Sequence, residues 1–460
     1  MSRISKGSIT TLKAALLLAV FLSFERFAPV SPASASLTLD VAADTPVVES
    51  GKTARVILRA LVRPVESRPS PQSRAPLAIA IILDKSGSML NGAKMENAKK
   101  GALEALEYLN ARDAAAVVVY DDEARTLVPL EAWSRGTHAA AADTISKVRA
   151  SGSTALYGGV KLGAEEILRH EGKGRVPRIL LLSDGIANVG PSSPAELAEL
   201  GRRLAAHEIT ITTIGLGLDY NEDLMTALAA ESGGNSYFAR NASSLPEIFA
   251  HDMEDSSSLS ARNVAITLTC LDGTIPVMTL GRRGEGQGRS VSVSISNVYG
   301  NEKYALFELE IPPQANGTSF DAASVLLEYE DAISGKKHRQ EARLKLRFTG
   351  NRDDVAKNRS GRIIAQAELA RNAQIREEAV RLADEGRASE ASSLLRSRAD
   401  ELKSVSQSAP EAAPMIAQDA YELAELASDV EADGKMSNEA RKETVNKAYT
   451  QKNQQGDGVK

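Results

Sequence analysis

One cysteine, one tryptophan, five histidines and 4% aromatic residues in 460 leave several chemistries without material. With Cys270 alone, no internal disulfide can form, so the fold must rest on its apolar cores. Cys270 lies in an alternating strand-like run and reads as a small buried side chain rather than a reactive thiol. The histidines, at 138, 170, 207, 251 and 338, are scattered and form no H-E-x-x-H pair. A G-x-S-x-G elbow is absent as well. Gly51-Lys52-Thr53 resembles the end of a phosphate-binding loop, but Pro46 stands where that loop needs glycine, so the segment reads as a turn. Basic excess is also missing. The net charge of −5 argues against nucleic acid or an anionic membrane as the main partner.

Long apolar runs are scarce too. The longest, Ala14 to Phe24, is eleven residues interrupted by Ser23 and followed by Glu25 and Arg26. Roughly 20 residues are needed to span a bilayer. Arg3, Lys6 and Lys13 before the run, and Ala33-Ser34-Ala35 after it, make residues 1–35 a secretory signal peptide with cleavage after Ala35. An uncleaved anchor is the alternative. The expected location is periplasmic or secreted, with no stable membrane insertion once the signal is removed.

What the chain does have is apolar patterning, at 43% hydrophobic residues. Residues 36–76 open with two strand-like stretches, Leu37–Val41 and Ala54–Val62, and end in a Pro/Ser/Arg linker from Arg63 to Pro76. Residues 77–256 alternate strands and helices, which implies a doubly wound, mainly parallel α/β sheet. Ala115–Tyr120 and Thr126–Leu130 are too close for a parallel crossover and should form an antiparallel hairpin. Residues 257–350 offer strands without helices and read as a β-sandwich. The early strands are too few for a domain and are expected to complete that sandwich, with the α/β unit inserted. Residues 351–453 turn helical, beginning with a helical hairpin. Residues 454–460 read as a disordered tail.

The chemistry concentrates at one place. The buried run Leu77–Leu83 is followed by Asp84-Lys85-Ser86-Gly87-Ser88-Met89, so a carboxylate and two hydroxyls stand at every second position where a strand ends. Alone, this could be an Asx or Ser turn. Thr154, in a small-residue loop, and Asp184, after a second buried strand Arg178–Ser183, add two more oxygen donors. Strand ends of a parallel sheet share one edge, where ligands bind. Oxygen donors without thiol or imidazole suit a hard cation, Mg²⁺ before Mn²⁺ or Ca²⁺.

Asp84-x-Ser86-x-Ser88 with Thr154 and Asp184 resembles the metal ion-dependent adhesion site of von Willebrand factor A-type domains, over about residues 75–255. The bacterial secreted members look most similar. The resemblance implies direct cation contacts from Ser86, Ser88 and Thr154, with Asp84 and Asp184 acting mostly through water. It also implies a partner protein or peptide whose acidic side chain completes the shell, and no catalytic residues. Asp219, Tyr220 and Asn221 begin a helix at the same edge and are possible rim residues, with ordinary helix capping as the plainer reading. Asp121 and Asp122 read as a solvated turn. Two other functions stay open: a scaffold of an envelope complex, and a metal-dependent hydrolase, although Ser86 stands where such enzymes want a second carboxylate.

Overall fold

In the computed structural model, residues 35–65, 74–169 and 174–455 are described. The signal-peptide expectation for residues 1–35 falls almost wholly outside them, as do linker positions 66–73 and tail positions 456–460. None of the described helices is long and apolar enough to cross a membrane.

The central sheet grows from β4 (Leu77–Asp84), which is buried along its whole length. Its neighbours are β5 (Ala114–Tyr120) and β7 (Val176–Ser183), both parallel to it. β8 (Thr210–Leu216) and β9 (Ser236–Ala239) extend the sheet in parallel on the β7 side. β6 (Ala124–Ala132) closes the other edge antiparallel to β5, as the short connection requires. A strand of β-branched and aliphatic residues suits this position because both faces are covered. Ile79, Ile81 and Leu83 point to one face, against α1 (Lys94–Glu107) and α6 (Leu245–Ser257). Ala80 and Ile82 point to the other, against α3 (Leu156–Arg169), α4 (Pro194–Ala205) and α5 (Glu222–Ser232). The chain leaves β4 for β5 on one side and later returns to β7 on the other. β4 therefore marks the switch point, and the crevice at its carboxyl end is the natural ligand position.

Two further sheets share one core. One has the order β1-β3-β14-β11, the other β12-β13-β10-β15-β16-β2. β1 (Leu37–Ala43) and β3 (Ala54–Pro64) precede the parallel sheet, whereas β11 (Ile275–Leu280) and β14 (Lys303–Ile311) follow it. β3 and β14 pair along their length, from Ala54 with Ile311 to Val62 with Lys303. In the second sheet, β10 (Ala261–Cys270), β13 (Ser290–Val298), β15 (Ser319–Asp331) and β16 (Lys337–Thr349) make the body. Leu58 and Phe307 from one sheet share a buried cluster with Ile266, Val325 and Leu346 from the other. Cys270 is buried in this core, and burial pushes its thiol up to about 11. The edge strands β2 (Val47–Glu49) and β12 (Gly284–Gln287) have no counterpart in the sequence reading. One is three residues long and the other is half glycine, so neither carries a period-2 signal.

Helices α7 (Arg352–Lys357) to α11 (Asn438–Asn453) complete the chain, with α8 (Gly361–Asp384), α9 (Ala388–Ser408) and α10 (Ala413–Asp433) packed on an alanine- and leucine-rich seam. Three expectations need correction. A helix that the sequence pattern suggests over Ala139–Arg149 is α2 (Arg135–Ser146), which starts four residues earlier because Ser134 and Thr137 form a reciprocal capping box. The linker is partly built into the fold: Arg74 is buried in a 2.5 Å ion pair with Asp113. The tail is ordered at its start. Gln454 bonds both backbone groups of Tyr304, and the buried Gln455 bonds both backbone groups of Ser236.

Candidate functional site

Three loops at the carboxyl edge of the parallel sheet are joined through their backbones. Gly87 N donates to Gly152 O (2.9 Å), and Ser151 N donates to Lys85 O (2.6 Å). Asn188 N donates to Thr154 O, while Thr154 N donates to Asn188 Oδ1 (2.8 Å). The segments carrying Asp84, Thr154 and Asp184 are thus fixed to one another before any side chain is considered.

The five expected residues come together. Asp84 Oδ1 accepts from Ser86 N (2.8 Å), which turns the chain sharply after β4. Ser86 Oγ and Ser88 Oγ are 3.0 Å apart, and Ser88 Oγ donates to Asp184 Oδ1 (2.6 Å). A methyl added to Gly185 would stand 3.2 Å from Thr154 Oγ1, 3.3 Å from Ser88 Oγ and 3.9 Å from Ser86 Oγ. The three hydroxyls therefore face one small space that glycine leaves open. Asp84, Asp184, Ser86 and Thr154 are buried, and Ser88 is half-buried.

The electrostatics of the two carboxylates differ. Among the described residues the donors to Asp84 are neutral: Ser86, the Tyr120 phenol (3.1 Å) and Ser183 Oγ (3.0 Å). Burial, with the Asp184 charge nearby, pushes its carboxyl up to about 6. Asp184 is paired to Lys94 Nζ at 2.7 Å. A cation held among these oxygens would repay the cost of the buried Asp84 charge. Among the described residues no three His, Cys, Asp or Glu side chains gather into a metal cluster. The oxygen set here is two carboxylates and three hydroxyls, which suits a hard ion that keeps part of its water.

Several contributors were not visible in the sequence. Lys94 stands on α1, Tyr120 ends β5, and Ser183 ends β7; each reaches the site only through the sheet's register. Asp121 and Asp122 do lie in the turn between β5 and β6, and Asp122 is exposed, but Asp121 is buried and both side chains are bonded. Asp121 pairs with Lys85, and Asp122 Oδ1 accepts from Ser153 N (3.0 Å), so both hold the threonine-bearing loop. Gly152 is needed there, since its φ is +77° and a Cβ would stand 2.7 Å from Asp122 Oδ2. Of the rim candidates, Asn221 caps α5 by accepting from Leu224 N (3.0 Å), and Tyr220 is buried beneath Lys442. Asp219 alone is exposed.

Residues 78–251 match the von Willebrand factor type A domain family. Protein sll0103 of Synechocystis, itself uncharacterized, is 30% identical over 195 residues, 42% of this chain and 45% of that protein. YfbK of Escherichia coli is 26% identical over 187 residues, 40% and 32% of the respective chains. Human inter-alpha-trypsin inhibitor heavy chain H4 is 27% identical over 178 residues, 36% of this chain and 18% of that one. The chain thus spans less than half the length of these relatives. Likeness in fold reaches further. A von Willebrand factor type A protein of Catenulispora acidiphila superposes with a TM-score of 0.67 at 17% identity, covering 91% of this chain and 97% of the other. The ArnB paralog VWA2 of Sulfolobus acidocaldarius gives 0.55 at 19% identity, covering 91% and 98%. The parallel sheet with its carboxyl-edge cluster is therefore a von Willebrand factor type A domain.

Proposed function

We propose that this protein binds a partner protein or peptide through a divalent cation held by Asp84, Ser86, Ser88, Thr154 and Asp184. The observation that carries the reading is the convergence of three hydroxyls and two carboxylates on the space beside Gly185. Mg²⁺ suits such hard, partly neutral donors. Two carboxylates and three hydroxyls leave an octahedral shell incomplete, so water or an acidic side chain of the partner can complete it. The protein acts by docking and not by catalysis, since Ser86 occupies the place where a second carboxylate would activate water. We place it outside the cytoplasm, delivered by the segment 1–35, and read the two facing sheets as a β-sandwich into which the A-type domain is inserted.

A cation-dependent pull-down from envelope extract tests this. Wild type should retain a partner in Mg²⁺ and release it in excess chelator. Asp84→Ala should not retain it, while its far-ultraviolet circular dichroism stays that of wild type. Retention that survives both chelator and Asp84→Ala would favour the scaffold reading. Turnover of generic phosphate or ester substrates would favour a hydrolase.

A further inference from the structure

The loops that carry the candidate cation site also carry large apolar side chains that the fold leaves in water. Leu90 is 69% exposed, Ile186 63% and Leu218 41%. Leu90 follows Ser88 by two residues, and Ile186 follows Asp184 by two. Leu218 lies in the loop after β8, beside Gly217, where an added methyl would stand 3.8 Å from Lys94 Nζ. That ammonium is itself bonded to Asp184. All three residues therefore lie at the carboxyl edge, one in each of the segments that follow β4, β7 and β8. A single exposed leucine on a surface needs no explanation, but several around one polar site mark an interaction surface.

Charge fixes what sits at the centre. Lys94 already offsets one of the two site carboxylates. With a divalent ion bound, the group carries one uncompensated positive charge, which one carboxylate neutralises. Lys85 is turned onto Asp121 and does not add to it. We propose that the partner of this site presents a single acidic side chain between large apolar neighbours, which settle on Leu90, Ile186 and Leu218. The inference rests on the cation-docking reading and adds to it the chemistry of the flanking residues.

Two blocked peptides of equal charge test it, one with glutamate between leucines and one with glutamate between serines. Both are titrated against the full chain in Mn²⁺. The leucine-flanked peptide should bind at least about tenfold more tightly. The double variant Leu90→Ser/Ile186→Ser should erase that preference while Mn²⁺ affinity and the weaker peptide's affinity stay unchanged. Both residues are exposed, so the fold should tolerate the change. Equal affinity of the two peptides for wild type, or a preference that survives in the variant, overturns the inference. So does Mn²⁺-dependent self-association that the variant abolishes, which would assign the collar to a second copy of this chain. Mn²⁺ binding with neither peptide bound overturns the carboxylate-docking reading itself, and failure of Mn²⁺ to bind overturns the cation site.

Discussion

At the scale of single residues, the site is an unequal pair of carboxylates. Asp84 is buried and its donors among the described residues are neutral, whereas Asp184 has Lys94. Lys94 and a bound cation repel each other, so Lys94→Met should tighten cation binding by roughly tenfold. Calorimetric titration with Mg²⁺ checks this, and an unchanged or weaker affinity contradicts it. Asp84, Ser86 and Ser88 were legible because they stand at every second position where one buried strand ends. Thr154 and Asp184 were legible because a small-residue loop and a second strand end lead to the same edge. Lys94, Tyr120 and Ser183 were not. The Tyr120 phenol spans from β5 to Leu182 O and Asp84, a reach set by strand register and side-chain direction, neither of which leaves a local pattern.

At the scale of elements, α11 ties the C-terminal helices to the rim of the site. Lys442 Nζ lies over the Tyr220 ring, donates to Tyr220 O (2.6 Å) and pairs with Glu222. Arg441 adds contacts to Glu222, Asp223 (2.7 Å) and Asp384 (2.7 Å). Breaking a buried ion pair is expensive because one charge is left behind. Lys442→Met leaves Glu222 with Arg441 but takes the donor from Tyr220 O, so it should cost about 2 kcal/mol in chemical denaturation. A cost near zero would mean that α11 is held elsewhere. At the other end of α11, Lys303 Nζ donates to Asn453 O (3.0 Å) and Gln454 O (2.5 Å). Burial pushes its ammonium down to about 7, from 10.5 for a free lysine. Between those values the unfolded chain binds the proton and the folded chain does not, so this group makes stability rise with pH from about 7 to 10.5. Lys303→Met should flatten that slope in melting temperature measured across the same range. The polar tail misled the sequence reading for a related reason. Gln454 and Gln455 have no apolar period, yet their amides satisfy open backbone groups of Tyr304 in β14 and Ser236 in β9, partners 150 and 219 residues away.

At the scale of the whole molecule, the chain is tied together by pairings distant in sequence. β3 lies between β1 and β14, so the first described strands belong to a sheet that is finished only after the whole parallel-sheet domain. The interface with the A-type domain is also specific. Arg178 of β7 binds Asp252 of α6 (2.9 Å) and the Tyr299 phenol (2.7 Å), and a buried arginine needs such partners. Deleting residues 36–64 should therefore abolish the cooperative unfolding of the two facing sheets while the A-type domain, with its own cores on both faces of β4, keeps its transition. Calorimetry of the truncated chain checks this; loss of both transitions contradicts it. Strand-helix alternation and then strands alone made this layout readable in outline. The pairing partners of β2 and β12 were not readable, because their placement depends on which edge is left open.

We propose that the Asp84 cluster holds one divalent cation. Isothermal titration of the full chain with Mg²⁺, repeated with Asp84→Ala and with the isosteric Asp84→Asn, decides whether it does. One chelator-reversible ion per wild-type chain, lost in both folded variants, is the result expected. Wild type that takes up no ion, or folded variants that bind as wild type does, would contradict the claim.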